Sequence, residues 1–108
     1  MTEVEELRRC ALVLLVVDVP KPRLVNSDGS SSVFAYDEDP ILAALEWCTM
    51  SGIRVTQDHD EPHDAVLLVM TEGWRKSSHV TRAVVRAQRM RLPLFFVDPR
   101  AWKIVSRR

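Results

Sequence analysis

One segment, residues 64–98, constrains the fold of this chain more than any other. It contains an apolar run over residues 65–70, a polar stretch over 71–79, a helical pattern and a second apolar run over 94–97. Short apolar runs without alternation are typical of parallel strands buried on both faces, and a helix between two of them predicts a right-handed crossover. Ligands collect beyond the carboxyl ends of such strands. The polar stretch is therefore the predicted site.

A strand and a helix with clear boundaries precede this unit. The branched apolar residues 11–17 predict a central parallel strand that ends at Asp18. Asp39 and Pro40 are typical of a helix N-cap and first position, and Gly52 is typical of the left-handed residue that follows a helix. These elements predict an α/β protein: a single small Rossmann-like (flavodoxin-like) three-layer domain over residues 1–108, with a mostly parallel sheet of about four strands.

Residues 53–56 predict a further short strand. The sequence is compatible with two paths from this strand to the strand at 65–70. Residues 57–64 are too few for a crossover helix, so either a loop crosses there or the short strand pairs antiparallel. This loop holds two histidines and four carboxylates. No helical spacing places them on one side, which favours a solvated acidic turn over a metal site.

Two further segments carry functional alternatives. Residues 19–38 are rich in turn formers and predict a long loop rather than any regular element, either a binding loop or an excursion. Tyr36 in this loop is a candidate ligand contact. Three arginines, Arg82, Arg86 and Arg89, follow the outer side of the helix after the polar stretch. This is most simply a solvated face, and nucleic acid is disfavoured as a partner because no aromatic residues are interleaved among them.

Charge is distributed unevenly although the net charge is zero. Residues 1–64 hold 13 acidic and 5 basic side chains, whereas residues 65–108 hold 2 acidic and 10 basic ones. Opposite charge of the two halves fits a protein-interaction module or self-association into a homo-oligomer, and equally fits solvated faces of opposite sign that fold side by side. Cys10 and Cys48 are expected to be buried reduced thiols.

The longest apolar run, residues 11–17, is too short to span a bilayer. Acidic residues precede it where a secretory signal carries positive charge. A cytoplasmic protein without a membrane partner is expected.

The order Gly73-Trp74-Arg75-Lys76-Ser77, then a helix, then Pro93, resembles the nucleoside 2-deoxyribosyltransferase-like superfamily. The resemblance covers about a third of the chain, residues 64–98. It implies a Rossmann-like sheet, a Gly-Trp-x-x-Ser elbow after a strand, and a glutamate on the next helix that attacks the sugar of a nucleoside. TIR domains are similar in the same unit, and their catalytic glutamate is also unmatched.

The chain departs from this family at the positions of its catalytic motif. On the family spacing a glycine falls on His79 and the nucleophilic glutamate falls on Ala83, and alanine forms no glycosyl intermediate. The resemblance therefore implies a degenerate member that binds a nucleoside or nucleotide without the transferase activity. The alternative is an N-glycosidic hydrolase or transferase in which Glu72 or Asp18 replaces the missing glutamate.

The candidate site residues follow from the predicted strand ends and from this resemblance. Glu72 and Asp18 are the catalytic candidates. The ligand-binding candidates are Tyr36, Gly73, Trp74, Arg75, Ser77, Ser78 and His79. No metal and no cofactor are expected.

Overall fold

Helices and strands alternate along the chain in the computed structural model, which describes residues 2–18, 24–26, 32–34 and 40–108. In chain order they are α1 (Glu3–Arg9), β1 (Val13–Val17), β2 (Leu24–Asn26), β3 (Ser32–Phe34), α2 (Pro40–Ser51), β4 (Val55–Thr56), β5 (Ala65–Val69), a 3-10 turn (Trp74–Lys76), α3 (Ser78–Arg89), β6 (Leu94–Asp98) and β7 (Lys103–Arg107).

Five of these strands form one sheet in the order β4-β1-β5-β6-β7. β1 pairs in parallel with β4 and β5, β5 pairs in parallel with β6, and β7 runs antiparallel to β6. The predicted α/β class with a mostly parallel sheet is confirmed, and it is broadly consistent with a Rossmann-like fold. The expected number of about four strands was too low because β7 adds an antiparallel edge strand. Pairing of β4 with β1 in parallel also shows that residues 57–64 cross between strands without a helix.

The sheet carries a hydrophobic core on each face because successive side chains of a strand point in opposite directions. All five residues of β5 are buried, as expected for a central parallel strand. On one face the strands pack with Leu7 of α1 and with Ala44 and Cys48 of α2. On the other face they pack with Val80 and Ala83 and other residues of α3. Burial of each large aliphatic side chain contributes about 1.5–3 kcal/mol.

The predicted end of α2 is confirmed in detail. Gly52 adopts a φ of 75°, and the amide of Ile53 donates to the Cys48 carbonyl at 2.9 Å. This is the six-to-one hydrogen bond of a Schellman end, and the buried Ile53 supplies the apolar contact that accompanies it.

Two local expectations were wrong. β2 and β3 pair antiparallel within residues 19–38, so the expectation of no regular element fails for these short strands. The rest of that segment, including Tyr36, lies outside the described residues. The three- and four-residue spacing of Val80, Ala83, Ala87 and Met90 predicts Met90 on the buried side of α3, but Met90 is 51% exposed and lies just after the helix ends at Arg89. Among the described helices, none is long and apolar enough to cross a membrane.

Candidate functional site

Four acidic residues mark the carboxyl edge of the sheet. Asp18 follows β1, Asp58 follows β4, Glu72 follows β5, and Asp98 is the last residue of β6. These four strands are parallel, so their carboxyl ends meet at one edge. The edge therefore carries a row of carboxylates where α/β sheets bind their ligands.

Asp18 is held where the strand order reverses, between β1 and β5. The Thr71 hydroxyl donates to the Asp18 carbonyl at 2.6 Å, and the Ser77 hydroxyl donates to Asp18 Oδ1 at 3.0 Å. Ser77 Oγ also accepts from the Val80 amide at 3.3 Å and so caps α3. This network joins the ends of two strands to the start of a helix. Because the Ser77 hydroxyl donates to Asp18 and accepts from the first turn of α3, it orients both the Asp18 side chain and the start of this helix.

A crevice of about 550 Å³ opens beyond the carboxyl ends of β5 and β6. Glu72 and Trp74 lie on one side of it, and Asp98 and Arg100 lie on the other. Asp98 Oδ1 accepts from the Arg100 amide at 2.9 Å, which fixes the turn that carries the arginine. The crevice thus combines two carboxylates, a guanidinium and an aromatic side chain in a small space.

A second cavity of about 250 Å³ adjoins the crevice and shares Thr71, Glu72 and Arg100 with it. Its far wall is formed by Trp102 and by the first turn of α2. Glu72 is exposed and borders both cavities. Of the two catalytic candidates, Glu72 is the carboxylate that borders both the crevice and the second cavity.

Trp74 is half-buried and makes contacts within the protein. Its ring lies 5.6 Å from that of Phe96 at an angle of 52°, and the Arg75 guanidinium lies 5.2 Å from its centroid. The preceding Gly73 has a φ of 80°, and a Cβ added there would meet nothing within 4 Å. Glycine at this position therefore serves the left-handed conformation of the elbow rather than close approach of another group.

Ser78 and His79 are exposed in the first turn of α3, on the side of residues 57–64. The His79 ring makes an edge contact with His59, with ring centroids 5.0 Å apart. Burial lowers the pKa of His59, and the positive charges of His79 and Arg86 lower it further. The predicted site residues are therefore divided among the Asp18–Ser77 junction, the crevice and this histidine pair.

Ala83, the position that matches the family nucleophile, is only 2% exposed and belongs to the core between α3 and the sheet. This position faces the core, so the absent glutamate leaves no gap in the crevice. Arg100 is a site residue that was not predicted from the sequence. Its position two residues after a strand ending in aspartate is a signal that points to it.

Within the described residues, no three or more His, Cys, Asp or Glu side chains lie together in a way that could hold a metal ion. Cys10 and Cys48 are both free thiols, and burial raises the pKa of Cys48 to about 12. A nucleophilic thiol is activated by a lowered pKa, so Cys48 does not have the properties of a nucleophile.

Comparison with known protein families, with curated proteins and with solved structures finds no match to this chain.

Proposed function

We propose that the protein binds a nucleoside or nucleotide at the carboxyl edge of the sheet and does not carry out the transferase reaction of the superfamily it resembles. The observation that carries this proposal is the composition of the crevice between the ends of β5 and β6. Glu72, Asp98 and Arg100 line a volume of about 550 Å³ together with Trp74.

Each group in the crevice suits one part of such a ligand. Carboxylates accept hydrogen bonds from ribose hydroxyls, as acidic residues at strand ends do in dinucleotide-binding sheets. Arg100 offers the paired N–H groups that recognise phosphate oxygens. Trp74 offers an aromatic surface to a base, with Arg75 displaced from the ring or stacked beyond it.

The strand order supports a ligand position next to the crevice. Without the β2–β3 pair, the sheet has the order 2-1-3-4-5 of flavodoxin-like domains, with an antiparallel last strand. Ligands of such sheets bind where the order reverses, which here is between β1 and β5. Thr71 connects this point to the crevice because it hydrogen-bonds Asp18 and lines the cavity.

Titration calorimetry with adenosine, guanosine, cytidine, uridine and their mono- and diphosphates tests the proposal. We expect at least one of these ligands to bind. Arg100→Ala should lower the affinity for the phosphorylated ligand about tenfold, which corresponds to the loss of one exposed charge-assisted hydrogen bond. Glu72→Gln and Asp98→Asn should lower the affinity for the unphosphorylated nucleoside as well.

Two exposed residues far from the crevice supply matched controls. Arg54→Ala removes an arginine at the opposite edge of the sheet, and Glu46→Gln removes a carboxylate on α2. Both should leave affinity unchanged. Absence of binding to every ligand, or equal losses in Arg54→Ala and Arg100→Ala, contradicts the proposal.

A second candidate function is cleavage or transfer of an N-glycosidic bond. The exposure of Glu72 on both cavities favours it, because a carboxylate there has access to the sugar of a bound nucleoside. Chromatography of nucleosides after incubation with wild type and Glu72→Gln, and with Asp18→Asn, tests this activity. Turnover that is abolished in Glu72→Gln supports it, whereas no turnover in any of the proteins rejects it.

A further inference from the structure

The face of the sheet that carries α3 has a groove beside this helix. α3 packs chiefly over β1 and β5, so β6 and β7 on this face are less covered. Two cavities of about 270 and 410 Å³ lie there and share Arg108. Together they run from Trp74 near the carboxyl edge to Arg91 near the opposite edge.

Arginine and aromatic side chains alternate at one end of this groove. Arg75 lies 5.2 Å from the ring centroid of Trp74, Trp74 packs on Phe96, and the Arg108 guanidinium lies 5.5 Å from the centroid of Phe96. Trp74 and Arg75 are adjacent in sequence, but Phe96 and Arg108 are far from them, and the pairing of β5, β6 and β7 brings the three segments together. A guanidinium over an aromatic ring presents a flat, positively charged surface.

The charge along the groove has one sign. Arg75, Arg91, Arg107 and Arg108 line the two cavities, and the Arg107 guanidinium pairs with Glu6 at 2.6 Å. Within the part of the chain that the structure describes, no acidic side chain lines either cavity. The exposed Val105, at the β-bulge of β7, adds apolar surface between the arginines.

We propose that this groove binds single-stranded nucleic acid. The groove would contact the phosphates through Arg91 and Arg108, while bases stack on the guanidinium and aromatic surfaces around Trp74, the combination that binds single strands without sequence preference. Exposed cations without aromatic neighbours, such as Arg82 and Arg89 on the outer side of α3, bind a polyanion only through its charge. This inference does not rest on Glu72 and Arg100 of the proposed nucleotide site, although both sites include Trp74.

Fluorescence anisotropy with a labelled oligouridylate of roughly ten nucleotides tests the groove. The double variant Arg91→Ala/Arg108→Ala should weaken binding by at least about tenfold, and the dependence of log affinity on log salt concentration should fall by about 0.7 for each phosphate that is no longer neutralised. Arg82→Ala/Arg89→Ala removes the same charge from the outer face of α3. This control should weaken binding by no more than about threefold.

Ser106→Glu provides a second variant that keeps every arginine. Ser106 is exposed on β7 and lines the groove, so a carboxylate there should repel the phosphates and abolish binding at moderate salt. Arg54→Ala, which removes an exposed arginine outside both the groove and the crevice, should bind the oligonucleotide as wild type does.

Four results would overturn the proposal. They are no binding by wild type, equal losses in the two double variants, equally tight binding of a duplex of the same length, and equally effective competition by oligoglutamate. The last result would assign the groove to an acidic peptide instead.

Discussion

The two faces of the sheet are closed in different ways. On the face of α1 and α2, Trp47 stacks on Trp102 with ring centroids 5.8 Å apart, and both pack against the core. On the face of α3, the aromatic Phe96 is covered by Trp74 and by the Arg108 guanidinium. Each face also carries a guanidinium 5.5 Å from the centroid of a phenylalanine, Arg107 over Phe95 on the first face and Arg108 over Phe96 on the second. The Arg107 guanidinium is tied to Glu6 of α1, whereas the exposed Arg108 borders the groove beside α3.

This difference separates stability from binding within one small domain. Apolar groups packed on apolar groups contribute through burial and are difficult to displace. A guanidinium over a ring contributes about 0.5–1 kcal/mol at an exposed site, so a ligand can take its place at small cost. We therefore infer that the α1 and α2 face mainly supports the fold and that the α3 face is available for partners.

The largest expected effect compares two neighbouring phenylalanines of β6 that point to opposite faces. Phe95 is fully buried on the α1 and α2 face, and Phe95→Ala should lower the free energy of unfolding by about 3–5 kcal/mol. Phe96→Ala should cost less, about 2–3 kcal/mol, because its neighbours Trp74 and Arg108 can move into the space or admit water. Urea unfolding followed by circular dichroism measures both values.

The two variants carry the same chemical change on one strand, so each is the control for the other. Equal losses would show that Arg108 and Trp74 close their face as firmly as the tryptophan stack closes the other. A larger loss in Phe96→Ala would reverse the comparison between the faces.

The buried strands and the helix ends could be predicted from the sequence better than the groove and the crevice on the surface. β5 was predicted because five buried residues leave a continuous apolar run, and the end of α2 was predicted because Gly52 is the residue that a left-handed helix end favours. In both cases neighbouring residues along the chain carry the information. Local patterns of this kind are what a single sequence displays.

The groove beside α3 could not be predicted in this way. Arg108 reaches Phe96 only because β7 pairs antiparallel with β6, and the pattern of residues 101–105 alone fits either a short helix or a strand. The expectation that aromatic residues are absent concerned Arg82, Arg86 and Arg89 on α3, whereas the aromatic residues Trp74 and Phe96 lie beside other arginines, Arg75 and Arg108. The crevice is a similar case, since Glu72 and Arg100 come from different strand ends.

A smaller effect is expected from the two thiols, which report how tightly the α1 and α2 face is closed. Burial raises the pKa of Cys48 from its ordinary value of 9.0 to about 12, and the half-buried Cys10 has a pKa that is raised by burial and by Asp64 and Glu6. A thiol-specific reagent at pH 8 should modify Cys10 first and Cys48 at least about tenfold more slowly, because Cys48 must await an opening of the face.

The same shift predicts a loss of stability in alkali. The folded state holds the Cys48 proton more tightly than the unfolded state, so this contribution is complete below pH 9 and is lost as the pH rises toward 12. Unfolding free energies measured across this range should therefore fall less steeply in Cys48→Ala than in wild type. Equal slopes, or a Cys48 that reacts as fast as Cys10, would show that the closed face opens readily.

The smallest effect concerns His59 and His79, which join the loop after β4 to the first turn of α3. Burial is the largest cause of the lowered pKa of His59, followed by the positive charges of His79, Arg86 and His63, while Asp58 acts in the opposite direction. Proton NMR titration of the imidazole signals should show that His79→Gln raises the pKa of His59 but leaves it below 6.5, because the burial remains. His63→Gln, the matched control, should raise it less.

The direction of the stability change follows from the same titration. A pKa that is lowered on folding means that the unfolded state binds the proton more tightly, so stability present above pH 6.5 is lost as the pH falls through the folded pKa. Wild type should lose more stability over this range than His79→Gln. If His63→Gln and His79→Gln raise the pKa of His59 equally, the charge of His79 is not the main charge that lowers this pKa. His59 and His79 would then titrate as independent groups on an open surface.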